Sequence, residues 1–177
     1  MRLFVGIDLP HELRIELASL RTSLPGARWV PEENWHLTLR FVGEVTPNQA
    51  EDVDLALATL RGKRFALTLT GLGTHTRNGR EVALWAGVER SPALEHLQNK
   101  VETAMQRAGL APERKRFMPH VTVARLDIIS EAKLPAYVQA HNLFRAGPVE
   151  IDHLTLFSSQ LGKEAAVYTP EVAYPLG

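Results

Sequence analysis

Apolar positions in the first half of the chain predict alternating strands and helices. A short apolar run before Pro10 predicts a buried strand, and leucines at helical spacing then predict a helix that stops at Pro25-Gly26. Thr46 followed by Pro47 is typical of a helix N-terminus. The predicted order is a strand over 3–9, a helix ending near 24, a strand over 35–42, a helix over 46–60 and a strand over 65–70.

The second half repeats this order of elements. Asn78-Gly79 is typical of a tight turn, and Ser91-Pro92 predicts a further helix N-terminus. The predicted elements are a strand over 81–88, a helix over 91–109, a strand over 120–126, a helix over 130–140 and strands over 147–157 and 166–174. No segment rich in Pro, Gly and Ser separates the halves. We therefore expect one α+β domain over residues 1–177, built from two similar, closely packed lobes.

Two nearly equivalent tetrapeptides occupy equivalent places in this repeat. His36-Leu-Thr-Leu opens a strand in the first half, and His120-Val-Thr-Val opens a strand in the second. Because alternate side chains of a strand share a face, each histidine should lie beside its threonine, with the apolar residues turned to the core. Each lobe then presents an imidazole and a hydroxyl on one surface.

A single His-x-Thr sequence carries little information. With 7 His in 177 residues, chance predicts roughly 0.5 such pairs, and His153-Leu-Thr-Leu is a third match. Too few residues follow His153 for the helix and strand that follow the other two motifs. We therefore interpret His153 as a residue of a late strand, near the site at most, and take His36 and His120 as the functional pair.

The paired motifs suit displacement at phosphorus, in which attacking and leaving oxygens lie on opposite sides of the phosphorus. One imidazole would accept a proton from the nucleophile and the other would donate one to the leaving oxygen, because an imidazole titrates near neutral pH. Thr38 and Thr122 would donate hydrogen bonds to the phosphate oxygens. Isolated strand histidines and threonines are more often structural, so only the pairing supports this chemistry.

Composition narrows the class of protein. The chain has no cysteine, which excludes disulfides and thiolate sites, and no cluster with the spacing of zinc ligands, so we expect no metal and no cofactor. No apolar run suits a signal peptide or a membrane span, and we expect a cytoplasmic monomer without a protein partner. The net charge is zero, from 20 basic and 20 acidic residues, which argues against broad duplex binding. Local clusters such as Arg114-Lys115-Arg116 suit a small anion or a nucleic-acid end.

Longer blocks around the motifs are more specific than the motifs themselves: LFVGIDLP near the N-terminus, WHLTLRFVGE at 35–44, RFMPHVTVAR at 116–125 and LTLFSSQL at 154–161. With these blocks the sequence resembles the 2H phosphoesterases, and within them the bacterial and archaeal RNA 2′,3′-cyclic phosphodiesterases, also called 2′-5′ RNA ligases. The resemblance covers essentially the whole chain. It implies a bilobal fold with two antiparallel-type sheets, outer helices and a cleft between the lobes.

The resemblance also implies an activity. RNA ends, including tRNA fragments, or nucleoside 2′,3′-cyclic phosphates would be hydrolysed to 2′-phosphates, with His36 as proton donor and His120 as proton acceptor. Thr38, Thr122 and Arg125 match the residues that hold the phosphate. Strand alternation alone puts Arg125 on the face opposite His120, and a strand that ends or bulges near Ala124 would remove this conflict.

Three other activities remain open from the sequence. The resemblance implies that some members join RNA ends to 2′-5′ linkages without ATP. The same two histidines could serve a small nucleotide such as ADP-ribose 1″,2″-cyclic phosphate. A non-catalytic protein that binds RNA ends is a further alternative, although binding alone does not need an acid and a base.

Overall fold

The chain forms nine strands and four helices, and the computed structural model describes all 177 residues. The elements are β1 (Arg2–Asp8), α1 (His11–Ala18), β2 (Arg28–Trp29), β3 (His36–Glu44), α2 (Pro47–Ala58), β4 (Phe65–Arg77), β5 (Arg80–Val88), α3 (Pro92–Arg107), β6 (His120–Arg125), α4 (Ile128–His141), β7 (Arg145–Ile151), β8 (His153–Gln160) and β9 (Val167–Pro175). A 3₁₀ turn at Glu32–Asn34 precedes β3. No helix is both long and apolar enough to cross a membrane.

The strands form two antiparallel sheets. Sheet A has the order β3-β1-β8-β9, and sheet B has the order β2-β6-β5-β4-β7. Helices α2 and α3 pack against sheet A, whereas α1 and α4 pack against sheet B. The predicted α+β class with two sheets and outer helices is therefore confirmed.

The two sheets do not correspond to the two halves of the sequence. Strands β8 and β9, near the C-terminus, complete sheet A beside β1, and β4 from the first half lies between β5 and β7 in sheet B. The two similar lobes expected from the repeat are therefore not two continuous halves of the chain. Pairing partners are chosen by tertiary packing, which a periodic pattern along the chain does not encode.

The predicted strand over 147–157 is in fact two strands. The chain leaves sheet B after Ile151 and enters sheet A at His153, with Asp152 between them. The apolar pattern continues through the crossing because both strands bury side chains, so periodicity alone could not locate the break. The short strand β2 was also not predicted.

The first helix is shorter than the leucine spacing predicts. Helix α1 ends at Ala18, and the following backbone N–H groups of Ser19 and Leu20 bond to carbonyls three residues back. Leu20 and Leu24 are nevertheless buried, because the turn that follows the helix keeps them in the core. Helical spacing thus identified the buried leucines correctly and placed the end of the helix too late.

Local turn and cap predictions are confirmed. Thr46 caps α2 in a reciprocal capping box with Gln49, and the Ser91 side chain accepts from Leu94 at the start of α3. Asn78 and Gly79 have φ values of 52° and 75°, which join β4 to β5 in a hairpin. The long hairpin arm extends β4 to Arg77, beyond its predicted end at residue 70.

Candidate active site

The two His-x-Thr motifs open β3 in sheet A and β6 in sheet B. These strands approach each other, with Cα atoms of the two strands within 8 Å. The apolar residues of the motifs, such as Leu37 and Val121, are fully buried, while the histidines and threonines lie on the opposite face. We call this face, in each sheet, the inner face.

Each catalytic candidate is held through its Nδ1 atom. The Nδ1–H of His36 donates to the backbone carbonyl of Asn34 at 2.7 Å, and the Nδ1–H of His120 donates to the carbonyl of Met118 at 2.6 Å. A carbonyl only accepts, so in both rings the proton on Nδ1 is fixed and Nε2 is the atom left for chemistry. The Thr38 hydroxyl lies 2.8 Å from Nε2 of His36.

The surroundings of His36 affect its protonation. Its ring packs against Phe4, with centroids 4.7 Å apart, and meets Tyr168 edge-on at 5.1 Å. Burial lowers the pKa of His36, the Asn34 carbonyl raises it, and the positive charges of His120 and Arg14 lower it further, so that its pKa lies below 6.5. His36 and His120 stand on strands of the two sheets that contact each other.

Arg125 lies on the inner face, with His120 and Thr122. On β5, Trp85 pairs with Thr122 and Ala83 pairs with Arg125, so that Val123 is an extra residue in the ladder. Val123 and Ala124 are consequently both buried, and the parity of the strand changes after them. The bulge removes the conflict between strand alternation and the role that the resemblance implies for Arg125.

Comparisons with known proteins identify the family of the chain. Residues 7–85 and again 87–168 match the LigT-like phosphoesterase family. The chain is a LigT-like phosphoesterase. The RNA 2′,3′-cyclic phosphodiesterase of Aeropyrum pernix is 34% identical over 86% of this chain and 90% of its own length, and that of Escherichia coli is 31% identical over 96% and 93%. The crystal structure of Escherichia coli LigT complexed with 3′-AMP superposes with a TM-score of 0.77 at 27% identity, covering 99% of this chain and 97% of that one.

A comparison of the two motif strands identifies a residue of the inner face that the sequence did not indicate. Strand β3 bulges at Leu39 as β6 does at Val123, because Gly6 pairs with Thr38 and Val5 with Arg40. Phe41 therefore occupies, five residues after His36, the position that Arg125 occupies after His120. Its side chain is 61% exposed, which is unusual for phenylalanine. The equal spacing from each histidine was the signal that could have identified it.

Trp85 is a second missed residue of the inner face. Its ring lies 5.6 Å from that of His120 and directly over Gly73, where an added Cβ would meet the indole at 2.0 Å. Only glycine leaves space for the ring at this position. Trp85 thus supports His120 from the side, as Phe4 supports His36.

His153 lies outside the catalytic pair but on the same inner face as His36. Its Nε2 is 3.0 Å from the Asp8 carboxylate and its Nδ1 is 2.7 Å from that of Asp152, and Thr155 also donates to Asp8. Burial alone would lower the pKa of His153, but the two carboxylates raise it overall. Both ring nitrogens are engaged, which supports the interpretation of His153 as a structural residue near the site.

Other features of the structure do not add to the site. A surface groove of about 840 Å³ lies between α2 and α3 and shares no lining residue with the inner faces. No group of three or more His, Asp or Glu side chains is arranged to hold a metal ion.

Proposed function

We propose that this phosphoesterase hydrolyses 2′,3′-cyclic phosphates at RNA ends to 2′-phosphates. The observation that carries the proposal is the pair of equivalently held histidines, His36 and His120, which stand on two contacting strands of different sheets, each with Nδ1 bonded to a backbone carbonyl. The relatives named as RNA 2′,3′-cyclic phosphodiesterases support the substrate.

The reaction needs one proton acceptor and one proton donor. Nε2 of His120 accepts a proton from water as the water oxygen bonds to phosphorus. The bond between phosphorus and O3′ breaks, and Nε2 of His36 donates its proton to O3′. The products are a 2′-phosphate and a 3′-hydroxyl, with both protons accounted for.

The fixed Nδ1–H groups make this exchange of roles possible. Because the Asn34 and Met118 carbonyls accept from Nδ1, proton transfer is confined to Nε2 in both rings. After one turnover His36 is neutral and His120 is protonated, and exchange with solvent restores the starting state. The assignment of donor and acceptor follows the family resemblance.

The remaining inner-face groups suit an anion bound to a nucleoside. Thr38, Thr122 and the Arg125 guanidinium would bind the non-bridging oxygens, where negative charge develops. The exposed Phe41 ring offers an apolar face on which the adjacent base can stack. If the 5′-hydroxyl of a second RNA replaces water, the same displacement gives a 2′-5′ linkage without ATP.

A cyclic phosphate assay tests the proposal directly. We expect the purified protein to hydrolyse adenosine 2′,3′-cyclic phosphate and an oligonucleotide with the same end, in excess EDTA, to the 2′-phosphate. His36→Ala and His120→Ala should each reduce kcat by at least about 100-fold, because each removes a general acid or base. His153→Ala is the matched control and should retain most of the activity.

Three results would contradict parts of this proposal. A 3′-phosphate product would mean that O2′ leaves instead of O3′. Loss of activity in His153→Ala but not in His120→Ala would mean that the wrong pair has been chosen. Tight binding of the cyclic end without turnover would favour the non-catalytic RNA-end binder.

A further inference from the structure

A second arginine faces the site from the edge of sheet B. Arg28 of β2 is directly opposite Arg125 of β6 in the antiparallel ladder. Directly opposed residues point to the same face of a sheet, so Arg28 shares the inner face with Arg125, Thr122 and His120. Adjacent strands are about 4.8 Å apart, which places Arg28 one strand further from the histidines, at the solvent edge.

The two arginines form no ion pair within the protein. Neither guanidinium takes part in any of the ion pairs or side-chain hydrogen bonds of the structure. The nearby Asp127 carboxylate instead accepts from Ser130 and caps α4. Like charges directly opposite each other in a sheet are destabilising, so this pair does not stabilise the fold through its charges, and both guanidinium groups are free to bind an anion.

The other pair of opposed arginines behaves differently. Arg77 and Arg80 face each other at the tip of the β4–β5 hairpin, but Arg80 also forms an ion pair with Glu131 at 3.4 Å. That pair carries an internal counter-charge, whereas the pair at the site does not. Of these two directly opposed arginine pairs, only the pair on the inner face has no carboxylate bound to either member.

We propose that Arg28, beside Arg125, forms a second anion subsite that takes a phosphate on the 5′ oxygen of the terminal ribose. This inference rests on the proposed function, in which Arg125 binds the cyclic phosphate. In RNA the 5′ phosphate is the diester that joins the terminal nucleotide to the rest of the strand, one ribose away. An arginine fork suits such a group, and the edge position of β2 leaves the strand free to continue into solvent.

The subsite would make the enzyme prefer RNA ends to simple nucleoside cyclic phosphates. A nucleoside 2′,3′-cyclic phosphate has no 5′ phosphate and would leave Arg28 without a ligand. The preference is electrostatic and the site is exposed, so it should weaken as the ionic strength rises.

Binding measurements test the subsite independently of turnover. Calorimetry would compare adenosine 2′-phosphate with adenosine 2′,5′-bisphosphate for the wild type, Arg28→Gln and Arg28→Lys. We expect Arg28→Gln to weaken bisphosphate binding by roughly tenfold, the effect of losing a charged hydrogen bond, and to leave the 2′-phosphate unchanged within about twofold. Arg28→Lys should retain part of the preference. The control is Arg107→Gln, which removes an exposed arginine from the surface groove between α2 and α3.

Kinetics identify the form of the 5′ phosphate. The kcat/KM of Arg28→Gln should fall for a dinucleotide that ends in a 2′,3′-cyclic phosphate and stay unchanged for adenosine 2′,3′-cyclic phosphate. If Arg28→Gln weakens binding of the 5′-monophosphate but does not affect the dinucleotide, the subsite binds a phosphate monoester and not the diester of an RNA strand. Equal weakening of all ligands, or no effect on any of them, overturns the subsite. Selective loss of bisphosphate binding in a protein without turnover would contradict the proposed function and leave the subsite standing.

Discussion

At the scale of single residues, backbone carbonyls determine which nitrogen of each histidine can react. Asn34 and Met118 each lie two residues before the histidine whose Nδ1–H their carbonyl accepts. The contact joins residues only two positions apart, so the backbone that leads into each motif strand forms it in both sheets. The side chains around the two rings differ, however, and the burial of the His36 ring lowers its pKa.

The pH dependence of the reaction should reflect the low pKa of His36. A general acid must be protonated in the free enzyme, so kcat/KM should decline as the pH rises through the pKa of His36, which lies below 6.5. Arg14 lowers this pKa through its positive charge. Replacement by Gln should raise the pKa of His36 and move the alkaline limb of the profile to higher pH.

The same measurement also checks the direction of proton transfer. If His36 were the general base, Arg14→Gln would move the acid limb to higher pH and leave the alkaline limb in place. Arg107→Gln is the control and should move neither limb. Because Arg14 also donates to the Leu9 and Glu32 carbonyls, the Tm of each variant should be recorded beside its profile.

At the scale of elements, the two bulged strands β3 and β6 organise the site. Each bulge lets one strand present three side chains on its inner face: the histidine, the threonine and a third residue five positions after the histidine. The residue before this third position points away from the inner face and into the core. It is Ala124 in β6 but Arg40 in β3, so sheet A has to accommodate a buried charge.

Arg40 is compensated by a set of buried contacts. Its Nε donates to Glu102 of α3 at 2.5 Å, and its other N–H groups donate to the carbonyls of Phe41 and Ala111 at 2.6 Å each. Burial raises the pKa of Glu102, but hydrogen bonds from Arg40, Gln106 and the backbone of Glu113 lower it overall. The network thereby anchors the segment that leads to His120 onto β3 and α3.

Loss of Arg40 should therefore be costly. Arg40→Met leaves the Glu102 carboxylate without its main partner, and we expect the free energy of unfolding to fall by about 3–5 kcal/mol in urea titration. Arg90→Met breaks the exposed pair with Glu95 and is the matched control, with an expected change below about 1 kcal/mol. Similar losses in the two variants would show that Arg40 is not a structural anchor.

The Arg40 network also predicts a pH effect. Because the folded-state pKa of Glu102 is lowered, its contribution to stability is present above the unfolded pKa of about 4.5 and is lost as the pH falls through the folded value. The difference in stability between wild type and Arg40→Met should therefore shrink under acid conditions.

At the scale of the whole molecule, the two sheets share one core. A single cluster of 36 buried residues includes side chains from both sheets and all four helices. Strands from the two ends of the chain complete sheet A, and the chain crosses between the sheets four times: before β2, after β2, between β3 and β4, and at Asp152. Neither half of the sequence contains a complete sheet.

We expect this shared core to unfold in one transition. The tryptophans allow a separate test of each sheet, since Trp29 and Trp85 lie in sheet B and Trp35 precedes β3 of sheet A. Fluorescence of Trp35→Phe would report on sheet B, and that of Trp29→Phe/Trp85→Phe would report on sheet A. For each variant, the urea midpoint measured by tryptophan fluorescence should equal the midpoint measured by circular dichroism. Separate midpoints would mean that the lobes unfold independently.

The sequence by itself determined much of the local structure. The capping residues Thr46 and Ser91, the Asn78-Gly79 turn and the alternation at the start of each motif strand depend on neighbours in the chain, so their predictions were confirmed. The same parity places the histidine and the threonine of each motif on one face, because it needs no tertiary information, and the chemical roles of His36, His120, Thr38 and Thr122 stay predictions.

The tertiary structure alone decided the rest. The bulges that turn Arg125 and Phe41 to the inner face arise from pairing with neighbouring strands, and a one-residue shift in a strand reverses every face after it. The exchange of strands between sheets, the place of His153 beside Asp8 and the opposition of Arg28 to Arg125 likewise depend on which distant segments pair. Such pairing is set by the packing of the common core, which no local pattern contains.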